Sequence, residues 1–201
     1  MTEAQHTCTE QLLDRVVSKE EAKEAIKTLL RYIGEDTDRE GLLDTPRRVI
    51  DSYKEFFAGY EQNPKEILST TFKEVGNYDE VVLLKDITFT SHCEHHMVPF
   101  IGVAHVAYIP RNKVVGISKL ARLVDAFARR LQIQERMTVD IAQTIADVLE
   151  PKGVAVIIKA KHQCMTTRGV GKPHSDTVTS CMRGLFREDP KSRAELMQLL
   201  A

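Results

Sequence analysis

An excess of charge of one sign is missing from this sequence. Its 28 lysines and arginines face 29 aspartates and glutamates, a formal net charge of −1. That balance excludes a nucleic-acid binder working by bulk electrostatics, although local basic clusters remain. Cysteine is scarce: four in 201 residues, at positions 8, 93, 164 and 181. They are too few and too scattered for a disulfide framework, and a reducing compartment follows. No apolar run approaches membrane-spanning length, and the polar residues 1–11 contain no signal-peptide core. A cytoplasmic protein, with no membrane or nucleic-acid partner, is expected. Internal repeats and low-complexity tracts are also lacking. What is present is an ordinary globular composition, 42% hydrophobic and 28% charged, enough for a compact domain with a helical extension.

Residues 1–17 show little periodicity and are expected to be poorly ordered. A helical region is predicted over 18–68. Ser18 and Glu21 fit a capping box, and Ala22, Ala25, Ile26, Leu29 and Ile33 form a stripe that Gly34 closes. The acidic run 35–40 reads as a solvated connector rather than a cation site. A second helix takes Thr45 as N-cap and Pro46 at its first position, turns Val49, Tyr53, Phe56 and Phe57 inward, and closes at Gly59. Arg47 and Arg48 have the wrong sign for its first turn, so either an anion sits there or the side chains swing away.

From residue 69 to 201 the pattern is that of an α+β domain. Residues 81–84 and 87–90 are β-branched, 100–109 is a long run bounded by Pro99 and Pro110, and 153–160 and 177–186 read as a hairpin. Between them lie two helical stripes, Ile117 to Leu131 with Ser118 as N-cap, and Met137 to Leu149 ended by Pro151. Gln134 and Glu135 fall in the polar link between these helices. Asp189-Pro190 starts a last helix.

Metal-binding and proton-moving groups concentrate in Cys93-Glu94-His95-His96, with His162-Gln163-Cys164 as its distant complement. Cys93 and His96 are three apart, so one turn can aim both at one centre, and His162 and Cys164 project to one side of a strand. Cys93, His96 and Cys164 would leave a fourth position open, as catalytic zinc requires. A closed structural site with His95 or His162 as fourth ligand is the alternative. Imidazoles left outside the ligand set can carry protons. His6, His92, His105 and His174 read as surface or core residues, and Cys8 and Cys181 have no partner at any recognisable spacing. Glu94 receives no role.

Cations for an anionic ligand are at hand. Lys119 and Arg122 lie three apart beside Ser118 on a helix start, Arg168 follows Cys164, and Arg47 and Arg48 add to them. Any one alone is as well explained as a solvated surface group. A carboxylate such as Glu135 can accept the paired N–H groups of a guanine edge, or serve only as a helix-start acid.

These residues assembled, the chain resembles the GTP cyclohydrolase I family. The resemblance runs through Thr45-Pro46-Arg47-Arg48, Cys93-Glu94-His95-His96, Ala107-Tyr108-Ile109-Pro110, Gly116 to Arg122, Gln132 to Arg136, His162-Gln163-Cys164 and Arg168-Gly169. It implies the tunnelling fold, a four-stranded antiparallel sheet with paired helices, assembled as a homo-oligomer, usually a decamer, with active sites between subunits. It further implies Zn2+ on Cys93, His96 and Cys164 with a bound water attacking C8 of GTP, and His95 and His162 as proton carriers. Gln134 and Glu135 are implied at the guanine edge, and Ser118 at the ribose. Lys119, Arg122 and Arg168 are implied at the triphosphate, with Arg48 from a neighbouring subunit. Rival readings are another enzyme of that fold acting on a pterin or deazapurine, a zinc-stabilised interaction protein, and a thiol-redox role for Cys93 and Cys164.

Overall fold

A computed structural model describes residues 17–73 and 78–201. The expectation for residues 1–17 falls, but for Val17, outside that range, as do His6 and Cys8. The chain divides into two compact units, one ending at Glu55 and the other running from Phe56 to Ala201.

In the first unit, helix α1 (Lys19–Tyr32) starts where Ser18 accepts the backbone N–H of Glu21, and ends before Gly34 at φ +92°. The sequence expectation for both ends holds. Its apolar stripe buries only in part, however: Ala22 and Ile26 are half-buried, while Leu29 and Ile33 are 58% and 70% exposed, as is the neighbouring Tyr32 at 87%. Helix α2 (Thr45–Phe56) begins at the expected threonine. The two arginines of its first turn are answered from within the chain. Asp44 pairs with Arg47 at 3.0 Å and with Arg48 at 3.6 Å, and Arg47 also reaches Asp51. These cations hold the Asp44 carboxyl below the usual carboxylate range, the hydrogen bond from Arg47 contributing most.

The second unit begins with a 3-10 turn (Ala58–Glu61) and the short helix α3 (Pro64–Ile67). Gly59 was expected to close α2. Instead α2 stops at Phe56, and Gly59 serves close approach: a Cβ there would stand 2.3 Å from the carbonyl oxygen of Ala126 and 2.7 Å from that of Arg129. Its own N–H donates to Arg129 O, and Arg130 Nε donates back to Gly59 O, both at 3.0 Å.

The sheet is built from β2 (Val82–Cys93), β3 (Pro99–Ile109), β6 (Gly153–His162) and β7 (Thr177–Gly184), antiparallel in that order. The two-residue β5 (Leu131–Gln132) adds a parallel edge beside the end of β2, and β1 (Thr71–Phe72) pairs separately with β4 (Val114–Val115). Two strands expected over 81–84 and 87–90 are one, β2, interrupted by an irregularity between Leu84 and Ile87 where Asp86 takes φ +57°. Such a bulge keeps one strand continuous while its twist increases.

Helices α4 (Ile117–Ala128) and α5 (Gln134–Leu149) lie on one sheet face. Leu120, Leu123, Val124 and Phe127 meet Met137, Ile141 and Ile145 over Phe89, Val106, Val156 and Ile158. Three boundaries differ from expectation. Gly116, not Ser118, is the N-cap of α4, the helix ends at Ala128 with Leu131 passing into β5, and α5 begins at Gln134, so Gln134 and Glu135 form its first turn instead of a link. After the helical turn α6 (Gln163–Thr166) and strand β7, α7 (Leu185–Glu188) and α8 (Pro190–Leu200) carry Phe186 and Leu196 into a smaller cluster with Ala107, Ile109 and Ala155. Asp189 caps α8 by accepting from Lys191 and Ser192 N–H, as expected. The α+β architecture, one antiparallel sheet carrying a helix pair, is the one the resemblance implies.

Gly59→Ala must push its methyl into backbone carbonyls that cannot rotate away. It is expected to cost about 1–3 kcal/mol, read as a fall of several degrees in Tm by calorimetry. An unchanged Tm would show that the approach of Gly59 to α4 is not tight.

Candidate metal centre

Strands β2 and β6 are both antiparallel to β3, so they run the same way and end at the same side of the sheet. His92 pairs with Pro99, and Phe100 with His162. The chain then turns at Glu94–His96, and on the other strand into α6, whose second residue is Cys164. Cys164 therefore reaches the centre from a helical turn, and not by the strand alternation expected for residues two apart. Cys93 N–H donates to Val98 O at 2.9 Å and Glu94 N–H to Gln132 O at 3.1 Å, which fixes the turn to both neighbouring segments.

Donor atoms of Cys93, His96 and Cys164 lie within 4.8 Å of one another. Cys93 Sγ is 4.0 Å from His96 Nδ1 and 3.7 Å from His95 Nδ1. Tetrahedral zinc bonds of ~2.0–2.3 Å set ligand atoms roughly 3.5–3.8 Å apart, so a small inward shift gathers all three. Burial is the main cause that pushes the Cys164 thiol up, and the neighbouring Cys93 adds to it. A thiol held neutral in this way gains from a nearby cation, and two sulfurs with one imidazole suit zinc.

Arg168 Nη1 stands 3.1 Å from His96 Nε2. A guanidinium only donates, so Nε2 accepts and the ring hydrogen sits on Nδ1. A metal held through Nδ1 would require that hydrogen on Nε2, which would turn Arg168 away from His96 and leave its donors for an anion.

His162 ends β6 with its ring stacked on Phe100, centroids 4.5 Å apart and planes 5° from parallel. Its Nε2 is 2.8 Å from Gln134 Oε1, and burial pushes its pKa down while the charge of Glu135 opposes that shift. Glu135 itself is exposed in the first turn of α5. The expected residues Cys93, His95, His96, Cys164 and Arg168 thus gather at one end of the sheet, with His162, Gln134 and Glu135 in a second connected group. Ser118, Lys119 and Arg122 lie along α4, where Arg122 lines a cleft of about 610 Å³ with Glu61, Glu66, Asp125 and Arg129. Arg48 belongs to the other unit.

Glu94, without a role in the sequence reading, pairs with Arg136 in the first turn of α5 and lies 4.0 Å from His95 Nε2. Residues 42 apart on unrelated elements carry no spacing signal, so only the fold reveals this pair. His92 is also resolved. Its ring lies 4.8 Å from that of Phe56 and 5.2 Å from that of Phe57, with Nδ1 buried and unpartnered.

Fold and site together define an α+β protein with a candidate transition-metal centre and two further histidines, His95 and His162, near it. The sequence model of the family described as GTP cyclohydrolase I matches residues 22–201. A GTP cyclohydrolase 1 from Brucella suis is 55% identical over 182 residues, covering 90% of this chain and 85% of that one. The chain belongs to the GTP cyclohydrolase I family. Among solved structures, an apo archaeosine synthase QueF-Like aligns with a TM-score of 0.44 at 23% identity, over 52% of this chain and 94% of that one. The E. coli dihydroneopterin aldolase in complex with neopterin aligns at 0.41 and 11%, over 52% and 99%.

Burial holds both His92 and His162 below the ordinary histidine pKa. The unfolded chain protonates these rings near about 6.5, whereas the folded chain does so only at lower pH. The unfolded state therefore binds more protons in that window, and stability falls as pH drops below about 6.5. Denaturant midpoints measured from about pH 7.5 to 5.5 should decline, and His92→Leu should make the decline shallower. An equal slope in the variant would rule out a buried neutral His92.

Proposed function

We propose that this chain is a zinc-dependent GTP cyclohydrolase I, opening the imidazole ring of GTP, releasing formate and forming 7,8-dihydroneopterin triphosphate. The observation that carries the reading is the convergence of Cys93, His96 and Cys164 within 4.8 Å, beside His95, in a chain of that family.

Bound to those three donors, zinc supplies the Lewis acidity that lets water lose a proton near neutral pH. The remaining work falls to the chain's own groups. His95, on the same turn, gives a proton to the purine N7, and His162 moves protons as the imidazole and ribose rings open. Glu135 accepts the paired N–H groups of the guanine edge, next to Gln134 at the same helix start. Lys119, Arg122 and Arg168 hold the triphosphate, Arg168 once it has left His96, and Ser118 meets the ribose. Arg48 joins from a neighbouring subunit. After formate leaves, the ribose carbons rearrange and close the new ring.

A homo-oligomer, in the decameric form, agrees with the exposed apolar face of α1 at Leu29, Tyr32 and Ile33. No helix among the described residues is long and apolar enough to cross a membrane. A cytoplasmic location accords with the free thiols of Cys93, Cys164 and Cys181.

Purified protein incubated with GTP should release formate and yield a pterin that fluoresces after oxidation. His95→Ala and His162→Ala should retain one zinc per chain while turnover falls by roughly 100-fold or more. Cys164→Ala should lose the metal and the activity together. Full zinc without product from GTP would sink the reading and favour a zinc-stabilised interaction protein or a related pterin or deazapurine enzyme.

A further inference from the structure

Gln134 is 1% exposed at the first position of α5, and its carboxamide is committed on both sides. Nε2 lies 3.1 Å from each of three acceptors, Ile158 O, Thr177 O and Thr179 Oγ1. Backbone carbonyls only accept, so the amino group must face them and Oε1 must face His162. A flipped amide would set Oε1 against the two carbonyl oxygens of Ile158 and Thr177 and leave both without this donor. Thr138 supports the same arrangement: its hydroxyl donates to Gln134 O at 2.7 Å and lies 2.7 Å from Thr179 Oγ1. With the single hydrogen of Thr138 on Gln134 O, Thr179 donates to Thr138 and keeps its lone pairs for Gln134.

Oε1 can therefore meet His162 Nε2, 2.8 Å away, only as an acceptor. We propose that Gln134 is a positioning residue whose buried carboxamide fixes the orientation of the His162 ring and its Nε2–H tautomer, so that Nδ1 is the nitrogen left as an acceptor. The proposal rests on His162 as a site residue in the reading given above, and replaces a direct role of the Gln134 side chain at the guanine edge. Phe100, stacked on the ring face, completes the restraint. A half-turn of the ring would aim a C–H at Oε1 and leave that oxygen unsatisfied in the core. The acceptor is thus set by the ends of β6 and β7, which hold Ile158, Thr177 and Thr179.

Neutron diffraction from crystals of the zinc-loaded protein above neutral pH locates the hydrogen directly. Nuclear density is expected on Nε2 of His162 and none on Nδ1. Density on Nδ1, alone or together with Nε2, would overturn the proposal. Gln134→Met matches the length without an acceptor, and should lower kcat for GTP by about 10–100-fold, with KM and zinc content unchanged. Gln134→Glu, which burial favours in its protonated form, again offers one acceptor and one donor and should recover most of that loss. A folded, zinc-loaded Gln134→Met with the parent kcat would also overturn it. Should Gln134→Met not fold, the hydrogen position in the unsubstituted protein decides alone. Failure of the GTP reaction would count against the functional reading and leave that measurement standing.

Discussion

The register of β2, β3 and β6 is the constraint on which the site depends. Because both outer strands are antiparallel to β3, their final residues emerge at one end, and His92, Cys93 and His162 arrive there together. A one-residue slip of either pairing would turn every side chain of that strand to the opposite face. It would carry Phe100, Val106, Val156 and Ile158 out of the core as surely as it dispersed the ligands. Packing and chemistry therefore select the same register. The close approach at Gly102, where a Cβ would stand 2.1 Å from Lys159 O, leaves little room for β3 and β6 to meet otherwise.

Within that frame the Cys164 thiol is held at some electrostatic disadvantage. Cys164 ionises less readily because it is shielded from water and faces Cys93. A metal ion reverses this balance, since coordination deprotonates a thiol outright. With a metal on His96 Nδ1, the hydrogen on that ring would move to Nε2 and Arg168 would be freed. Cation binding and substrate-anion binding would thereby be linked through one imidazole in the GTP cyclohydrolase I reading.

Much of this was legible in the sequence, for local reasons. Ser18 and Asp189-Pro190 announce helix starts by chemistry that needs nothing beyond one turn, and the stripes of α4 and α5 are periodic over several turns. What stayed hidden depended on partners remote in the chain. Lys85 and Asp86 look like a turn, yet β3 keeps β2 continuous past them. The start of α5 was missed because its N-cap, Ile133, has no capping side chain, so Gln134 and Glu135 resemble a linker. Arg47 and Arg48 left open either a bound anion or side chains swung away, and Asp44 answers both from within the chain. The candidate ligands Cys93, His96 and Cys164 stand out by spacing as one of several possible sets, whereas the contacts behind them, Gln134 with His162, Phe100 and the Glu94–Arg136 pair, do not.

Helices ordinarily open first at their ends, where the terminal N–H and C=O groups lack intrahelical partners. At its first residue α5 departs from that habit, because the Gln134 side chain is bound to two strands and to a buried ring. Unwinding this end would strand a buried amide, so local opening is displaced towards the far terminus, where Glu150 takes a left-handed conformation. The end that carries Glu135 and steadies His162 becomes the slow-opening one, and a helix terminus serves as a rigid mount.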